Sequence, residues 1–305
     1  MLRYIVRRLG QTILVLFGVT ALSFGTLFLS GDPTLLMVPE TFSAQQVEAF
    51  RHQMGFDRPW YVQYGDFLRK AIHGDFGVSL RQQQPTFTLI MQRLPATVEL
   101  AIAALVIAVC IGLPLGILAA IHRGTAWDSM LMLGGLVGQS LPVFWLGLLL
   151  IMIFSVRLGW FPVSGIGGPK HLVLPAVTLG LFSTAYLARM ARSSMLEVLG
   201  QDYVRTARAK GLRQRAVIIQ HALRNALIPL MTVVGLQIGA LLGGAVITET
   251  IFAWPGIGRL TIQAIQGKDL PLVQACVTFL AAIFVFVNLA VDILYTRLDP
   301  RIRLQ

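Results

Sequence analysis

The chain has 305 residues, 55% of them hydrophobic and only 13% charged, with a mean hydropathy of +0.72 and a formal charge of +11. Soluble domains carry about 25% charged residues, so the deficit points to lipid as the solvent. Two cysteines, Cys110 and Cys276, both inside apolar runs, exclude a disulfide framework and a CxxC metal site.

In chain order the sequence reads as an all-α integral membrane protein with six transmembrane helices, each needing about 20 apolar residues. Leu9–Leu29 is the first, uncharged and longer than a signal core. No small-x-small cleavage site precedes Gly31-Asp32-Pro33, so residues 1–29 are expected to form a cytoplasmic end and a retained anchor. Residues 30–94 are expected outside, with short helices. Ser43 with Gln46 predicts a capping box, and Asp57 predicts a cap for a helix running from Pro59 through Lys70. This stretch is too poor in aliphatic core to stand as an independent domain.

The remaining spans lie within a predicted five-helix core at 95–291: Thr97–Ile121, Met130–Val156 with Pro142 near its middle, Leu172–Ala188, Ala226–Thr248 and Leu272–Val291. A cytoplasmic tail, 292–305, would follow. With the amino terminus inside, 15 of the 25 basic residues fall on inside segments, and the long outer stretch 30–94 balances its six with six acidic residues. The positive charge is thus a topology signal with possible anionic-lipid contact, and no nucleic-acid surface is expected.

Within the spans, Gly235, Gly239 and Gly243 recur every four residues and predict a helix-packing face; Gly112/Gly116 and Gly134/Gly138 repeat the pattern. No catalytic residue is expected. Ser140 lies mid-span with no histidine in any apolar run to act as its base, and neither an HExxH pair nor a GxxxxGK[ST] loop occurs. Glu99 is the sole candidate for a buried proton relay, near an interface, so ion-driven transport is weakly supported. Gln139, Gln237, Asn288 and Glu249 either line an aqueous path or bond to neighbouring helices. In Glu249–Arg259, Pro255, Gly256 and Gly258 break the helix, and Trp254 is expected at a water–lipid boundary. This segment is a second path candidate, with a plain interfacial loop as the competing account.

The stretch 189–225 holds the most distinctive water-facing segment, Tyr203-Val-Arg-Thr-Ala-Arg-Ala-Lys-Gly-Leu212. Ala207, Ala209, Arg205, Arg208 and Lys210 favour helix, and Gly211 is placed to stop it. A polar helix held just outside the bilayer by two spans suits the transfer of force to a partner; a loop that merely orients the protein is the plainer alternative.

DYVRTARAKGL followed by HALRNALIP strongly resembles the cytoplasmic loop of the peptide-type permease subunits of bacterial ABC importers. RLPATVELA (Arg93–Ala101), GDFGVS (Gly74–Ser79), LPAVTLG (Leu174–Gly180) and ETIFAWPGIGRL (Glu249–Leu260) extend the resemblance over the whole chain. The dipeptide permease B-type is most similar, with glutathione, oligopeptide, haem or nickel permeases as alternatives. The resemblance implies a type I, MetI-like fold in the bacterial inner membrane with both termini cytoplasmic. It also implies a homologous second permease, two ATPases that carry ATP and Mg, and a periplasmic or lipid-anchored binding protein. The chain itself would bind no cofactor and no metal. By position, Arg205-Thr206-Ala207 stand where the family's EAA motif has Glu-Ala-Ala, and Gly211 is the motif glycine. The resemblance implies ATPase coupling through Tyr203, Arg205, Thr206, Ala207, Arg208, Ala209, Lys210 and Gly211. From a different class, an ATP-independent channel or ion-coupled carrier remains the competing function.

Overall fold

A computed structural model describes residues 2–29, 32, 34–35, 38 and 41–298. All its regular elements among those residues are helical: α1 (Leu2–Leu29), α2 (Ala44–Met54), α3 (Trp60–Ile72), α4 (Thr86–Ile121), α5 (Ala126–Ser140), α6 (Val143–Leu150), α7 (Pro169–Leu199), α8 (Asp202–Ala209), α9 (Arg224–Ile251), α10 (Ile257–Gln266) and α11 (Leu270–Leu298). α1, α4, α7 and α11 are each long and apolar enough to cross a membrane. Counting each of two bent pairs, 126–140 with 143–157 and 214–227 with 229–243, as one span gives six.

The third predicted span departs most from a straight rod. α5 and α6 meet at 101° across Leu141-Pro142. Leu141 is extended (φ −77°, ψ 131°), as a residue before proline prefers, and Pro142 caps α6 instead of continuing α5. A π-helix at Ile151–Arg157 then completes the segment.

The described chain divides into two compact units. One comprises 2–97 and 255–286. Its apolar core joins Leu89 and Ile90 to Ile257, Leu260, Ala264, Leu272, Ala275 and Cys276. The polar clamp beside this core is Asp269, buried at the start of α11, which accepts from Ser79 Oγ, from the Leu80 and Arg81 N–H groups (both 3.2 Å) and from Leu272 N–H (3.4 Å). Four donors leave the buried carboxylate compensated and bind the 79–81 loop to 269, which is why 255–286 groups with the outer stretch and not with the spans before it. In α2 the Ser43–Gln46 capping box forms in both directions. Asp57, however, caps nothing: α3 begins after Pro59 without a side-chain cap, and Asp57 instead lies 2.8 Å from His52.

The other unit comprises 98–254 and the segment from 287. α4 and α7 approach so closely that a Cβ added at Gly116 would lie 2.2 Å from the Ala188 carbonyl oxygen and 2.6 Å from Ala191 Cβ. At Gly180 it would lie 2.7 Å from the Ala104 carbonyl oxygen. Bare backbone is required there, since lipid offers no hydrophobic drive to hold helices together and contact area must do so.

Candidate functional site

α7 runs eleven residues beyond its apolar part, to Leu199, before the chain turns at Gly200-Gln201 into α8. Asp202 sits in the first turn of α8, where a negative charge suits the helix dipole. The helix stops as the sequence predicts: Gly211 adopts φ +77°, its N–H donates to the Arg208 carbonyl (2.9 Å), and Leu212 N–H donates to the Ala207 carbonyl (3.4 Å).

α8 has two faces. Val204 and Ala207, three residues apart, are buried against Val217, Val198 and Leu199. Arg205, Thr206, Arg208, Ala209 and Lys210 are exposed. Tyr203 is half-exposed and its hydroxyl accepts from Asn225 Nδ2 at 2.9 Å, tying α8 to the start of α9. Between them a π-helix at Val217–Leu223 contributes Ala222, which packs with Ala120, Met195 and Ala226. The result is a short basic peg clipped at both ends to the helices that lead into the membrane. The Arg205–Asp202 pair (3.7 Å) is exposed on both sides and adds little to its stability.

The Ala207 methyl faces the chain's own core beside Val204. The open surface of α8 comprises Tyr203, Arg205, Thr206, Arg208, Ala209 and Lys210.

One feature supporting the peg has no counterpart in the sequence reading. Arg192, about two turns before the end of α7, makes a forked pair with Asp128 at the start of α5: Nε to Oδ1 is 2.6 Å and Nη2 to Oδ2 is 2.7 Å. Asp128 is buried and also accepts from Gly124 N–H (3.1 Å), while its own N–H donates to the Thr125 cap (3.4 Å). The T-x-x-D spacing at Thr125–Asp128 is the one signal that marks the carboxylate; Arg192 reads only as a topology charge.

The other expected residues lie on α5, α9, the 252–256 segment and the start of α10. Gln139 is half-buried and Gln237 buried. Glu249, Trp254, Gly256 and Gly258 are all buried in protein. Trp254 retains 1% exposure, so it is no interfacial anchor; its N–H donates to the Glu249 carbonyl (2.8 Å) across a turn in which Ala253 takes φ +50°. Irregular backbone at 252–256 is thus packed, not left facing lipid. Of the glycine triplet, Gly235 lies against Val291, with a Cβ only 2.4 Å from Cγ1, and Gly239 is buried. Gly243 is exposed and a Cβ there would meet nothing within 4 Å. Four-residue steps rotate about 40° each, so Gly235 and Gly243 point about 80° apart and do not share one intrachain face.

Residues 112–304 match the family described as binding-protein-dependent transport system inner membrane component, and residues 1–101 match its N-terminal membrane-component family. The chain belongs to this family. Among its relatives, the di/tripeptide transport system permease protein DppB of Pseudomonas aeruginosa is 45% identical, with all of both chains covered. The dipeptide transport system permease protein DppB of Escherichia coli is 42% identical over 99% of each. Among solved structures, an inward-facing MetNI methionine ABC transporter matches with a TM-score of 0.60 at 19% identity, covering 69% of this chain and 96% of that one. An amino acid ABC transporter matches with a TM-score of 0.53, covering 70% and 94%. The fold is accordingly MetI-like and all-α, and the chain is a non-catalytic, multi-pass inner-membrane subunit of a binding-protein-dependent importer.

Proposed function

We propose that this subunit forms half of the translocation path of an ABC importer for di- or oligopeptides, and that α8 receives the work of separate ATPases. The relatives' names support the solute class. In this reading the chain pairs with a homologous permease and two cytoplasmic ATPases that hold ATP and Mg. A binding protein delivers solute to the outer stretch 30–94, and both termini are cytoplasmic.

The observation that carries the coupling role is the division of α8 into a buried side, Val204 and Ala207, and a basic side, Arg205, Thr206, Arg208 and Lys210. A basic side of this kind fits an acidic-rimmed groove on a partner. The packing of α8 on the end of α7 and on Val217, with the Tyr203–Asn225 bond to α9, makes it a handle on two spans, so its displacement moves both. The expected route of force is from the ATPase pair, through the basic face and the Tyr203–Asn225 link, into α9.

The experiment is to place cysteine at Arg208 and at Ile219, which is exposed outside α8, and cross-link each to the ATPases in purified transporter. Cross-linking at position 208 that changes with nucleotide, together with loss of peptide uptake but continued ATP hydrolysis in R208E, is the expected result. Equal cross-linking at both positions, or uptake unchanged by R208E, would refute α8 as the docking helix.

A further inference from the structure

The unit formed by 2–97 and 255–286 contains a cavity of about 360 Å³ that the coupling role does not use. α1, α2, α3 and the first turn of α11 enclose it. Its floor is aromatic: Phe24 and Phe67 have ring centroids 6.3 Å apart, Phe67 and Phe76 6.4 Å apart, and Phe56 adds a fourth ring. The rim is charged with both signs. Arg58 and Asp66 face each other at 3.4 Å. Lys70 and Asp75 lie on the same rim, and their backbones are joined by the Asp75 N–H to Lys70 carbonyl bond (3.0 Å). Among the described residues, neither of these two side chains has an ion-pair partner; Asp75 accepts only from the Gly77 N–H (2.9 Å). Gln274 of α11 also lines the cavity.

We propose that this cavity binds a short zwitterionic peptide with an apolar or aromatic side chain, as a site on the permease separate from the binding protein. The size suits a ligand of two or three residues. Lys70 would take the carboxylate, Asp75 the ammonium, and the four phenylalanines the side chain. A singly charged solute would leave one of these two rim charges unanswered, and a neutral one both. The proposal rests on the peptide-importer reading and adds a peptide-binding site to it.

The test uses the assembled transporter in nanodiscs without its binding protein, photolabelled with p-benzoylphenylalanyl-alanine and mapped by mass spectrometry. Label within 52–77 or 270–274 is expected, displaced about tenfold better by Phe-Phe than by Gly-Gly because one ring is buried. K70Q and D75N should each weaken labelling about fivefold; both side chains are at the rim, and Asn keeps the acceptor for Gly77 N–H. Label mapping elsewhere, or label in the cavity insensitive to both variants, overturns the proposal. So does label displaced by phosphatidylethanolamine but not by Phe-Phe, which would assign the cavity to a lipid headgroup. ATP-driven dipeptide uptake measured with binding protein added separates the two claims. Uptake without cavity labelling removes the site and keeps the importer, whereas cavity labelling without uptake keeps the site and removes the importer.

Discussion

Replacing Asp128 by alanine probes whether the base of the peg is held by the forked pair with Arg192. Removing one partner of a buried ion pair typically costs about 3–5 kcal/mol, because the remaining charge is stranded. Here the aspartate side chain is 7% exposed but the arginine is 28% exposed, so water recovers part of the stranded charge. The Gly124 N–H loses its acceptor as well. A loss of about 2–3 kcal/mol follows, which for a protein of this size lowers the apparent melting temperature by roughly 5–8 °C. Differential scanning fluorimetry of the purified transporter at one fixed scan rate reads this directly. The double variant D128L/R192L removes both charges and fills the space with hydrocarbon; it is expected to recover at least half of the loss. A melting temperature for D128A within about 1 °C of wild type would refute the reasoning. So would a double variant that melts no higher than D128A alone, since desolvation of an unpaired arginine would then not be the cause.

Three further outcomes are expected. G116A drives a methyl into the Ala188 carbonyl and should cost about 1–3 kcal/mol in the same melting assay, whereas G134A, with nothing within 4 Å, should be neutral. A207W should lower the melting temperature by displacing Val198 and Val217, while R205E and R208E on the opposite face should leave it unchanged and weaken co-purification of the ATPases; the reverse pattern would invert the two faces of α8. Burial pushes the Asp32 carboxyl up, but hydrogen bonds from Thr34 and Arg51 outweigh it and hold the group below its ordinary value of 3.8. Its folded value is the lower one, so the stabilisation is present above about pH 4 and lost as pH falls through the folded value. Protection factors in α2, corrected for the intrinsic exchange rate at each pH, should therefore fall as pH drops below about 4 in wild type more than in D32N.

Much of the fold was legible from local signals. Twenty-residue apolar runs, the Ser43–Gln46 box and the glycine after Lys210 each depend on residues within a turn or two of one another, so their effects survive without knowledge of the rest. The same holds for α8, whose composition and stop are both local. Its burial pattern is also helical, at Val204 and Ala207, yet a sequence does not say whether that apolar stripe meets the chain itself or another subunit. Pro142 falls near the middle of the predicted span Met130–Val156; proline's effect on its predecessor is local, but a bend of 101° depends on what α6 packs against.

Asp128 and Asp269 mark the boundary of what sequence reasoning reaches. Their distant partners, Arg192 and Ser79, lie 64 and 190 residues away; the Thr125-x-x-Asp128 spacing marks a cap but not the ion pair, and nothing near Asp269 distinguishes it from a surface carboxylate. Trp254 shows the same limit in reverse: an indole is amphipathic wherever it stands, and only packing decides whether its end is wet. The sequence alone determined that lipid is the solvent, that helices span it, and that a basic peg interrupts them, because those follow from composition and short-range periodicity. Tertiary structure decided which face of the peg is free, which glycines touch a neighbouring helix, and which charges are paired, because each depends on groups brought together by the chain's return through space.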